Sequence, residues 1–567
     1  MAWFMTHTAN IFAFAVLRTT GAKHNFYIGS NSRKNRIIDG LKRVGLEKYF
    51  NPSHIYSLDL VDNPKPHPGI YFKPVSVLDY ASLYPSSMIS DNLSHDTIIK
   101  VGDKYIQDTK VDRDGGMGKY DNLEGYQYVD VTYDNYLYIL KGKQWIKEIN
   151  PEQPTITCRY VQPKTTIVDG KEIVKEEDRG IIPQILNNLL SARKKTRGKI
   201  KTEKDPFKRS VLDGLQLAYK ITANSIYGQI GASTSTIYFK EIAASTTAVG
   251  RKMLYIAKDY VEQNYPGAKV VYGDTDSIFI DYNPCDENGQ PLKDKEALKK
   301  SIDMGVETEK GIKHLMKHPH HLEYEKTFFP FCLISKKRYV GRKYEFDLDK
   351  YVLNAMGIVL KRRDNAQIVK YVYGGIIDRI MAGESIQSSI DFLQKSLMDL
   401  LNGKFSMDYL IISKSLRSDY KNPQQIAHKV LADRMGERDP GNKPKPNDRI
   451  PYVYVEYKET KGKTVLQGDK VEHPLFVTQN NLNIDYEFYI TNQIMKPVCQ
   501  IYGLIQDNPE KLFQETLRQA NNRRNKYQEI TKWFQPINNT IKPDEIIQID
   551  ENNKFNDIIE LEDDNEI

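Results

Sequence analysis

One thirteen-residue stretch, Lys269-Val-Val-Tyr-Gly-Asp-Thr-Asp-Ser-Ile-Phe-Ile-Asp281, constrains the fold of this chain more than any other. Two runs of β-branched and aromatic residues flank a short acidic turn, a pattern typical of a β-hairpin. Period-two alternation allows the carboxylates of Asp274 and Asp276 to address one side of the hairpin. Like charges this close repel each other unless a cation lies between them. Alone, such a triplet is more often an exposed turn, and only together with an upstream aspartate segment does it predict a site for a divalent cation.

A second acidic strand lies upstream, in Val77-Leu-Asp-Tyr-Ala-Ser-Leu-Tyr-Pro-Ser-Ser87. The pattern predicts a strand that closes at Asp79, a turn at Tyr84-Pro85 and a short helix. Ser82, Leu83 and Tyr84 follow the strand end, where backbone N–H groups can receive a phosphate. For Tyr84 alone, a packed core aromatic is the plainer interpretation.

The third segment is Lys220-Ile-Thr-Ala-Asn-Ser-Ile-Tyr-Gly228. Apolar spacing predicts a helix that opens at Pro183, a basic linker over residues 193–208 and a second helix over 211–227 that Gly228 ends. Lys220 and Asn224 then share one helical face, and Tyr227 lies three residues further on. Many lysines of the linker are expected to be a solvated tip.

Charge and cysteine content narrow the class of protein. The net charge of +7 hides ten acidic residues against Lys554 in residues 544–567, which leaves about +16 on the remainder. A basic body suits a polyanionic partner, although an ordinary solvated surface with an acidic tail has the same composition. The four cysteines form no CxxC pair, so no zinc or iron–sulfur site is expected. Residues 11–17 are too short to span a bilayer, and we expect a soluble intracellular protein without a membrane partner.

In this order, the three segments resemble motifs A, B and C of the family B DNA polymerases, and the resemblance covers roughly residues 70–540. It implies an α+β fold in the form of a right hand, with an antiparallel-sheet palm, helical-hairpin fingers and a mainly helical thumb. It also implies two-metal addition of dNTPs to a primer in DNA replication, with two Mg²⁺ ions or Mn²⁺ as the alternative. The predicted divisions are 1–72 (an atypical N-terminal segment), 73–182 and 229–360 (palm), 183–228 (fingers), 361–540 (thumb) and 541–567 (an acidic, disordered tail).

The resemblance also implies roles for individual residues. The expected catalytic residues are Asp79, Asp274 and Asp276, and the expected metal ligands are Asp79, Asp276 and the Tyr80 carbonyl. Triphosphate and base-pair contacts are expected from Ser82, Leu83, Tyr84, Arg193, Lys220, Asn224, Tyr227 and Gly228. Within this set, Tyr84 would exclude a ribose 2′-hydroxyl. Lys336-Lys-Arg-Tyr339, which comprises Lys336, Lys337, Arg338 and Tyr339, resembles an element that contacts the DNA minor groove.

Two further segments bear on the origin of the chain. Asn92-Leu-Ser-His-Asp-Thr97 resembles polymerases of the large DNA viruses of eukaryotes, for which the nucleus or a cytoplasmic viral factory would be the compartment. Before Asp79 there is no Asp-x-Glu exonuclease motif, so proofreading in cis is not expected. Residues 22–72 resemble a fragment of a haloacid-dehalogenase-type phosphatase without its nucleophile. Alternatively, Pro66 to Tyr71 is the lead-in to motif A.

Two classes of function remain open at this point. The first is a DNA-directed DNA polymerase that binds primer–template DNA and dNTPs, with a processivity factor as a further candidate partner. The second is a truncated or chimeric product that only binds primer–template DNA. A phosphatase would need the missing nucleophile, and a two-metal nuclease would leave Lys220, Asn224 and Tyr84 without a role.

Overall fold

The structure, a computed structural model, describes residues 64–106, 126–142, 144–168, 171–174, 176–361, 364–457 and 465–531. The predicted tail at 541–567 and most of the N-terminal segment lie outside these residues. The described part is an α+β protein, in which no helix is long and apolar enough to cross a membrane.

The strands pair in antiparallel fashion throughout the described chain. They are β1 Gly69–Tyr71, β2 Val75–Tyr80, β3 Ile98–Val101, β4 Lys104–Tyr105, β5 Tyr128–Asp134, β6 Tyr136–Lys141, β7 Gln144–Ile149, β8 Thr155–Val161, β9 Thr165–Val168, β10 Lys171–Val174, β11 Lys269–Gly273, β12 Ser277–Asp281, β13 Leu322–Ser335, β14 Arg338–Tyr344, β15 Val352–Met356, β16 Ile412–Ser415, β17 Arg449–Tyr454 and β18 Val471–Glu472.

The helices differ widely in length. They are α1 Leu83–Ser90, α2 Ile181–Thr202, α3 Pro206–Gly231, α4 Lys240–Asn264, α5 Asp294–Ile312, α6 Gln367–Met381, α7 Ile386–Leu401, α8 Ala427–Arg438, α9 Pro474–Gln479, α10 Tyr486–Phe488, α11 Met495–Tyr502 and α12 Lys511–Thr531. A π-helical turn, Tyr489–Ile494, joins α10 to α11.

A seven-stranded central sheet organises the molecule, in the order β11-β12-β2-β13-β14-β15, with β1 also paired to β13. Alternation along β2 gives its two faces different partners. Leu78 and Tyr80 pack against buried side chains of α4, whereas Val75 and Val77 join an aromatic cluster on the opposite face. Asp79 follows Val75 and Val77 in this alternation. It therefore belongs to the same face of the sheet as the aromatic cluster, near the end of the strand.

Residues 64–71 contact the central sheet, since β1 pairs with β13 and the residues before it hydrogen-bond to β11. The His67 N–H donates to the Val271 carbonyl at 2.8 Å, and the Gly273 N–H donates to the Pro64 carbonyl at 3.3 Å. A Cβ at Gly273 would lie 2.4 Å from Pro64 Cδ, so glycine is required for this approach. The chain before β1 therefore covers the outer edge of the acidic hairpin.

Helices α2 and α3 form the predicted helical hairpin, but its details differ from the prediction. The predicted basic linker is helical up to Thr202, because Lys and Arg are good helix formers. Helix α3 continues through Gly228 to Gly231, since the buried side chains of Ile226 and Ile230 hold the last turn in place. Near β2, the chain turns at Ala81-Ser82 rather than at Tyr84-Pro85, because proline is accepted in the first turn of α1.

Two smaller regions complete the described part. The sheet β4-β3-β8-β5 lies beside α1 and α2, and its buried residues form one core with theirs. After residue 364, helices predominate, as the sequence indicated, and they surround the short sheet β16-β17-β18.

Candidate active site

The acidic hairpin has the predicted form, with β11 and β12 joined by residues 274–276. The Asp274 N–H donates to the Ser277 carbonyl at 2.8 Å and closes the turn. Ser277 lies opposite Asp79 on β2, and the Tyr80 N–H donates to the Asp276 carbonyl at 2.8 Å. Sheet pairing therefore brings Asp79 and Asp276 together from positions nearly 200 residues apart.

Asp274 has a different environment from the other two aspartates. Its Oδ1 lies 3.2 Å from Lys337 Nζ and accepts the Thr275 N–H at 2.9 Å. Lys337 also donates to the Thr275 hydroxyl at 3.1 Å, so this cation is held over the turn. The carboxylate of Asp274 is thus already balanced by a protein cation.

Glu323 is a carboxylate of this site that the sequence interpretation missed. It stands directly opposite Asp79 on β13 and is exposed. The negative charge of Glu323 also acts on Arg193 of α2. Burial and the nearby Arg197 lower the pKa of the Arg193 guanidinium, and Glu323 acts in the opposite direction. Alternation in Leu322-Glu-Tyr-Glu325 was the available signal, but only the register of β13 against β2 selects Glu323.

The donor set suits a divalent cation, although it is small. Within the described ranges, no three acidic, histidine or cysteine side chains form a group able to hold a metal ion. Asp79 and Asp276 nevertheless offer hard oxygen donors on neighbouring strands, and Mg²⁺ typically needs only one or two carboxylates beside its waters and substrate phosphates. The residues therefore fit such an ion.

Helix α1 presents its N-terminus at the same end of the sheet. Ser82 has the left-handed φ of 57°, which turns the chain sharply from β2 into the helix. The first-turn amides of a helix point beyond its end, where an anion is favoured. Leu83 is buried and Tyr84 is half-buried, with a ring centroid 4.5 Å from that of Tyr227 on α3. The start of α1 and the last turns of α3 therefore meet at these two rings.

The hairpin presents a polar face beside these aromatic rings. Lys220, Asn224 and Gly228 follow one another at intervals of four residues, and all three are exposed. A Cβ at Gly228 would meet no atom within 4 Å, so this part of the face borders open space. Arg193 differs, because it is half-buried and its Nε donates to Gln216 Oε1 on α3 at 3.2 Å.

The segment 336–339 is divided between surface and core. Lys336 and Lys337 form the turn between β13 and β14, and the Lys337 N–H donates to the Tyr272 hydroxyl at 2.8 Å. Arg338 Nε donates to the Gly357 carbonyl at 3.3 Å. Tyr339 is only 5% exposed and packs in the aromatic cluster, so its ring supports the hairpin from behind. The expectation that all four residues contact DNA therefore does not suit the Tyr339 ring.

Two arginines of α8 in the C-terminal region, Arg434 and Arg438, are engaged within the protein. Both terminal nitrogens of Arg438 donate to Glu472, at 3.0 and 2.9 Å. Arg434 Nε lies 3.6 Å from the same carboxylate, and its terminal nitrogens donate to the carbonyls of Gly468 and Val471. Glu472 is 5% exposed, so these arginines stabilise the packing of α8 against β18.

Comparisons with known proteins identify the family of this chain. The family model described as DNA polymerase family B matches residues 63–505. Over 484 residues, the chain is 50% identical to a DNA polymerase of Pyramimonas orientalis virus, covering 77% of this chain and 37% of the viral protein. It is 31% identical over 519 residues to the DNA polymerase delta catalytic subunit of Caenorhabditis elegans, covering 88% and 41%.

A solved family B DNA polymerase from the archaeon Pyrobaculum calidifontis is similar in structure, with a TM-score of 0.49 and 21% identity, over 79% of this chain and 47% of that one. The chain thus spans about two fifths of the length of the curated relatives named above. The family match begins at residue 63, which favours the motif A lead-in over a phosphatase fragment for residues 66–71. Matched over most of its length, the chain belongs to DNA polymerase family B.

Proposed function

We propose that this chain is a DNA-directed DNA polymerase that adds dNTPs to a primer 3′-hydroxyl under the direction of a template. The single observation that carries the proposal is the pairing of β12 with β2, which sets Asp276 beside Asp79. The viral and nematode relatives bear the names of DNA polymerases, which is in keeping with it. DNA replication would be the process served.

Asp79, Asp276 and the Tyr80 carbonyl would hold divalent cations, with two Mg²⁺ ions as the proposed set and Mn²⁺ as the alternative. Bound there, such ions lower the pKa of the attacking hydroxyl and neutralise charge on the triphosphate. Glu323, opposite Asp79, would add negative charge to the same site. Asp274 would act indirectly, because its ion pair with Lys337 fixes the turn that carries Asp276.

The triphosphate would lie between the start of α1 and the polar face of α3. Ser82, Leu83 and Tyr84 would offer backbone N–H groups, and Lys220 and Asn224 would stabilise the charge that develops on the phosphates. Arg193 would contribute from α2. Tyr227 and Gly228 would lie against the nascent base pair, and Tyr84 would close the space where a 2′-hydroxyl would sit.

In the proposed assignment, the central sheet is the palm, α2 and α3 are the fingers, and the region after residue 361 is the thumb. Primer–template DNA would pass over the exposed Lys336 and Lys337. Phosphate contacts to the duplex are independent of sequence and depend strongly on salt.

Primer extension with the full chain, Mg²⁺ and all four dNTPs tests the proposal. We expect extension that EDTA abolishes and that Asp276→Ala reduces by at least about 10³-fold, because a metal carboxylate is lost. Asp259→Ala, at an exposed site on α4, is the matched control and should retain activity. In the same assay, Tyr84→Ala should admit ribonucleotides.

The alternative, a protein that only binds DNA, predicts a different result. Fluorescence anisotropy would then detect binding of the primed duplex, with no extension by the unmodified chain. Asp276→Ala should leave that binding nearly intact, and a parallel loss of binding would indicate a structural role for this residue.

A further inference from the structure

The first turn of α2 is capped by side chains of residues 92–97, which lie more than 80 residues earlier in the sequence. The Gly180 N–H donates to Asn92 Oδ1 at 2.8 Å, and the Ile181 N–H lies 3.2 Å from both oxygens of Asp96. The Ile182 N–H donates to Ser94 Oγ at 3.3 Å. Three consecutive amides at one helix end are thus received by three side chains of one segment, here called the anchor segment.

The anchor segment is itself rigid and buried. The Ser94 hydroxyl donates to Asp96 Oδ1 at 2.5 Å, and Asn92 Nδ2 donates to the Val161 carbonyl at 2.8 Å. Asn92 and Ser94 are fully buried, and Asp96 is 8% exposed. A Cβ at Gly180 would lie 2.7 Å from Ser94 Cβ, so helix and segment are in direct contact. A buried carboxylate at a helix N-terminus also favours the helix macrodipole.

The same segment contacts the chain on the far side of the hairpin. A ring nitrogen of His95 lies 2.9 Å from the Ile237 carbonyl, six residues after the end of α3. The His95 ring also meets Phe239 edge-on, at 5.5 Å between centroids. Six consecutive residues therefore hold both the beginning of α2 and the chain that leaves α3, which are the two points where the hairpin joins the rest of the protein.

The anchor segment also follows α1 directly. Arg179, just before α2, donates to the Ile89 carbonyl in the last turn of α1 at 3.0 Å. The ring of Tyr84, in the first turn of α1, lies 4.5 Å from that of Tyr227 on α3, centroid to centroid. Helix α1 thus contacts Arg179, just before α2, at one end and Tyr227 on α3 at the other.

We propose that the anchor segment sets the position of the helical hairpin over the nucleotide site and that Asp96 is its principal positioning residue. This inference rests on the proposed function for its effect on nucleotide binding. Asp96 touches no reacting atom. Its effect is transmitted through the first turn of α2 to Arg193, and through the hairpin contacts between α2 and α3 to Lys220 and Asn224.

The test removes one aspartate cap at the base of the hairpin and, as a matched control, one at its tip. Asp205 caps α3 by accepting the N–H groups of Phe207 and Lys208, and it is exposed. Asp96→Ala should raise the KM for dNTP roughly tenfold while kcat changes less, because loss of a cap misplaces the binding face. Asp205→Ala should leave KM within about twofold, since its helix end lies far from the base.

Two further readouts separate positioning from a general loss of structure. Asp96→Asn keeps an oxygen toward the Ile181 N–H and should restore most of the dNTP affinity, while primer–template affinity stays unchanged in all variants. Equal KM shifts for Asp96→Ala and Asp205→Ala would overturn the proposal, and so would a loss of kcat with unchanged KM. Should Asp96→Ala fail to fold, Ser94→Ala removes fewer of the capping contacts and should shift KM in the same direction.

Hydrogen exchange of the chain alone keeps this inference distinct from the proposed function. Asp96→Ala should speed exchange in α2 and α3 but not in the central sheet, whether or not the chain incorporates nucleotides. Unchanged exchange in both helices would contradict the proposal that the anchor segment positions the helical hairpin. A chain that shows the expected exchange but no primer extension would reject the proposed function and leave the anchor standing.

Discussion

The helical hairpin and the C-terminal region are both rich in lysine and arginine, but they use these cations differently. On the hairpin, Lys220 projects from an exposed face beside open space at Gly228. In the C-terminal region, Arg434 and Arg438 converge on the buried carboxylate of Glu472. Net charge counts both groups alike, so the basic character of the chain overstates the surface that is available to phosphate.

The difference lies in what each cation gains from folding. A buried carboxylate such as Glu472 needs charged partners to offset its loss of water. Arg438 supplies two hydrogen bonds, and Arg434 adds a second positive charge at 3.6 Å. An exposed lysine on a helix gains little from a surface ion pair, so it remains available to an anionic ligand. We therefore expect variants of the two regions to fail in different assays.

Of the two regions compared, the helical hairpin is expected to give the larger effect, at Lys220. Lys220→Ala should lower kcat/KM for dNTP incorporation by roughly 10²-fold, because one charge facing the developing negative charge is lost. The thermal midpoint should be nearly unchanged, since the side chain is exposed. Lys208→Ala, on the same helix near the hairpin tip, serves as the control. Steady-state incorporation measures kcat/KM for both variants. Equal losses would contradict the proposal that Lys220 acts on the triphosphate and Lys208, at the hairpin tip, does not.

An intermediate effect, of another kind, is expected at Arg438. Arg438→Ala should lower the free energy of unfolding by about 2 kcal/mol, because Glu472 keeps only part of its pairing. Urea unfolding measures this loss, and the double variant with Glu472→Gln should lose less than the sum of the two single losses. Full stability combined with a weaker salt dependence of DNA binding would instead place Arg438 on the DNA.

The smallest effect concerns His320, a cation only at low pH. Burial lowers the pKa of its imidazole, whose Nε2 lies 3.1 Å from the Ser87 hydroxyl. The unfolded chain, with a histidine pKa of about 6.5, takes up this proton first, so stability is complete above that pH and falls below it.

Between pH 7.5 and 5.5, His320→Gln should lose less stability than the unmodified protein, by at most about 1 kcal/mol in urea unfolding. His314→Gln, at an exposed position, is the control. If the stability of His320→Gln depends on pH in the same way as that of the unmodified protein, His320 is not the residue whose titration lowers stability.

Local sequence patterns predicted the parts of the fold that depend on residues close together in the sequence. The β11–β12 hairpin follows from alternation around Asp274 and Asp276, and the shared face of Lys220 and Asn224 follows from helical periodicity. The length of α2 was underestimated because a dense run of lysines suggested a linker, although each of those residues favours a helix.

Contacts that depend on strand register were not predictable in this way. Glu323 reaches Asp79 only because β13 pairs with β2, which lies far away in sequence, and Lys337 reaches Asp274 from the turn that follows β13. Tyr339 was expected on the DNA, but the alternation of β14 turns its ring into the aromatic cluster. The capping of α2 by residues 92–97 likewise joins segments more than 80 residues apart.

The strip of chain before β1 has a consequence for how copies of this protein behave toward one another. An uncovered β11 would present a row of backbone donors and acceptors to any extended peptide, and β-augmentation there would distort the neighbouring acidic turn. Because Pro64 to His67 occupies this position, and because proline lacks an N–H to offer, self-association along that edge is discouraged. A shortened chain that begins at residue 73 should therefore aggregate before it loses its helices.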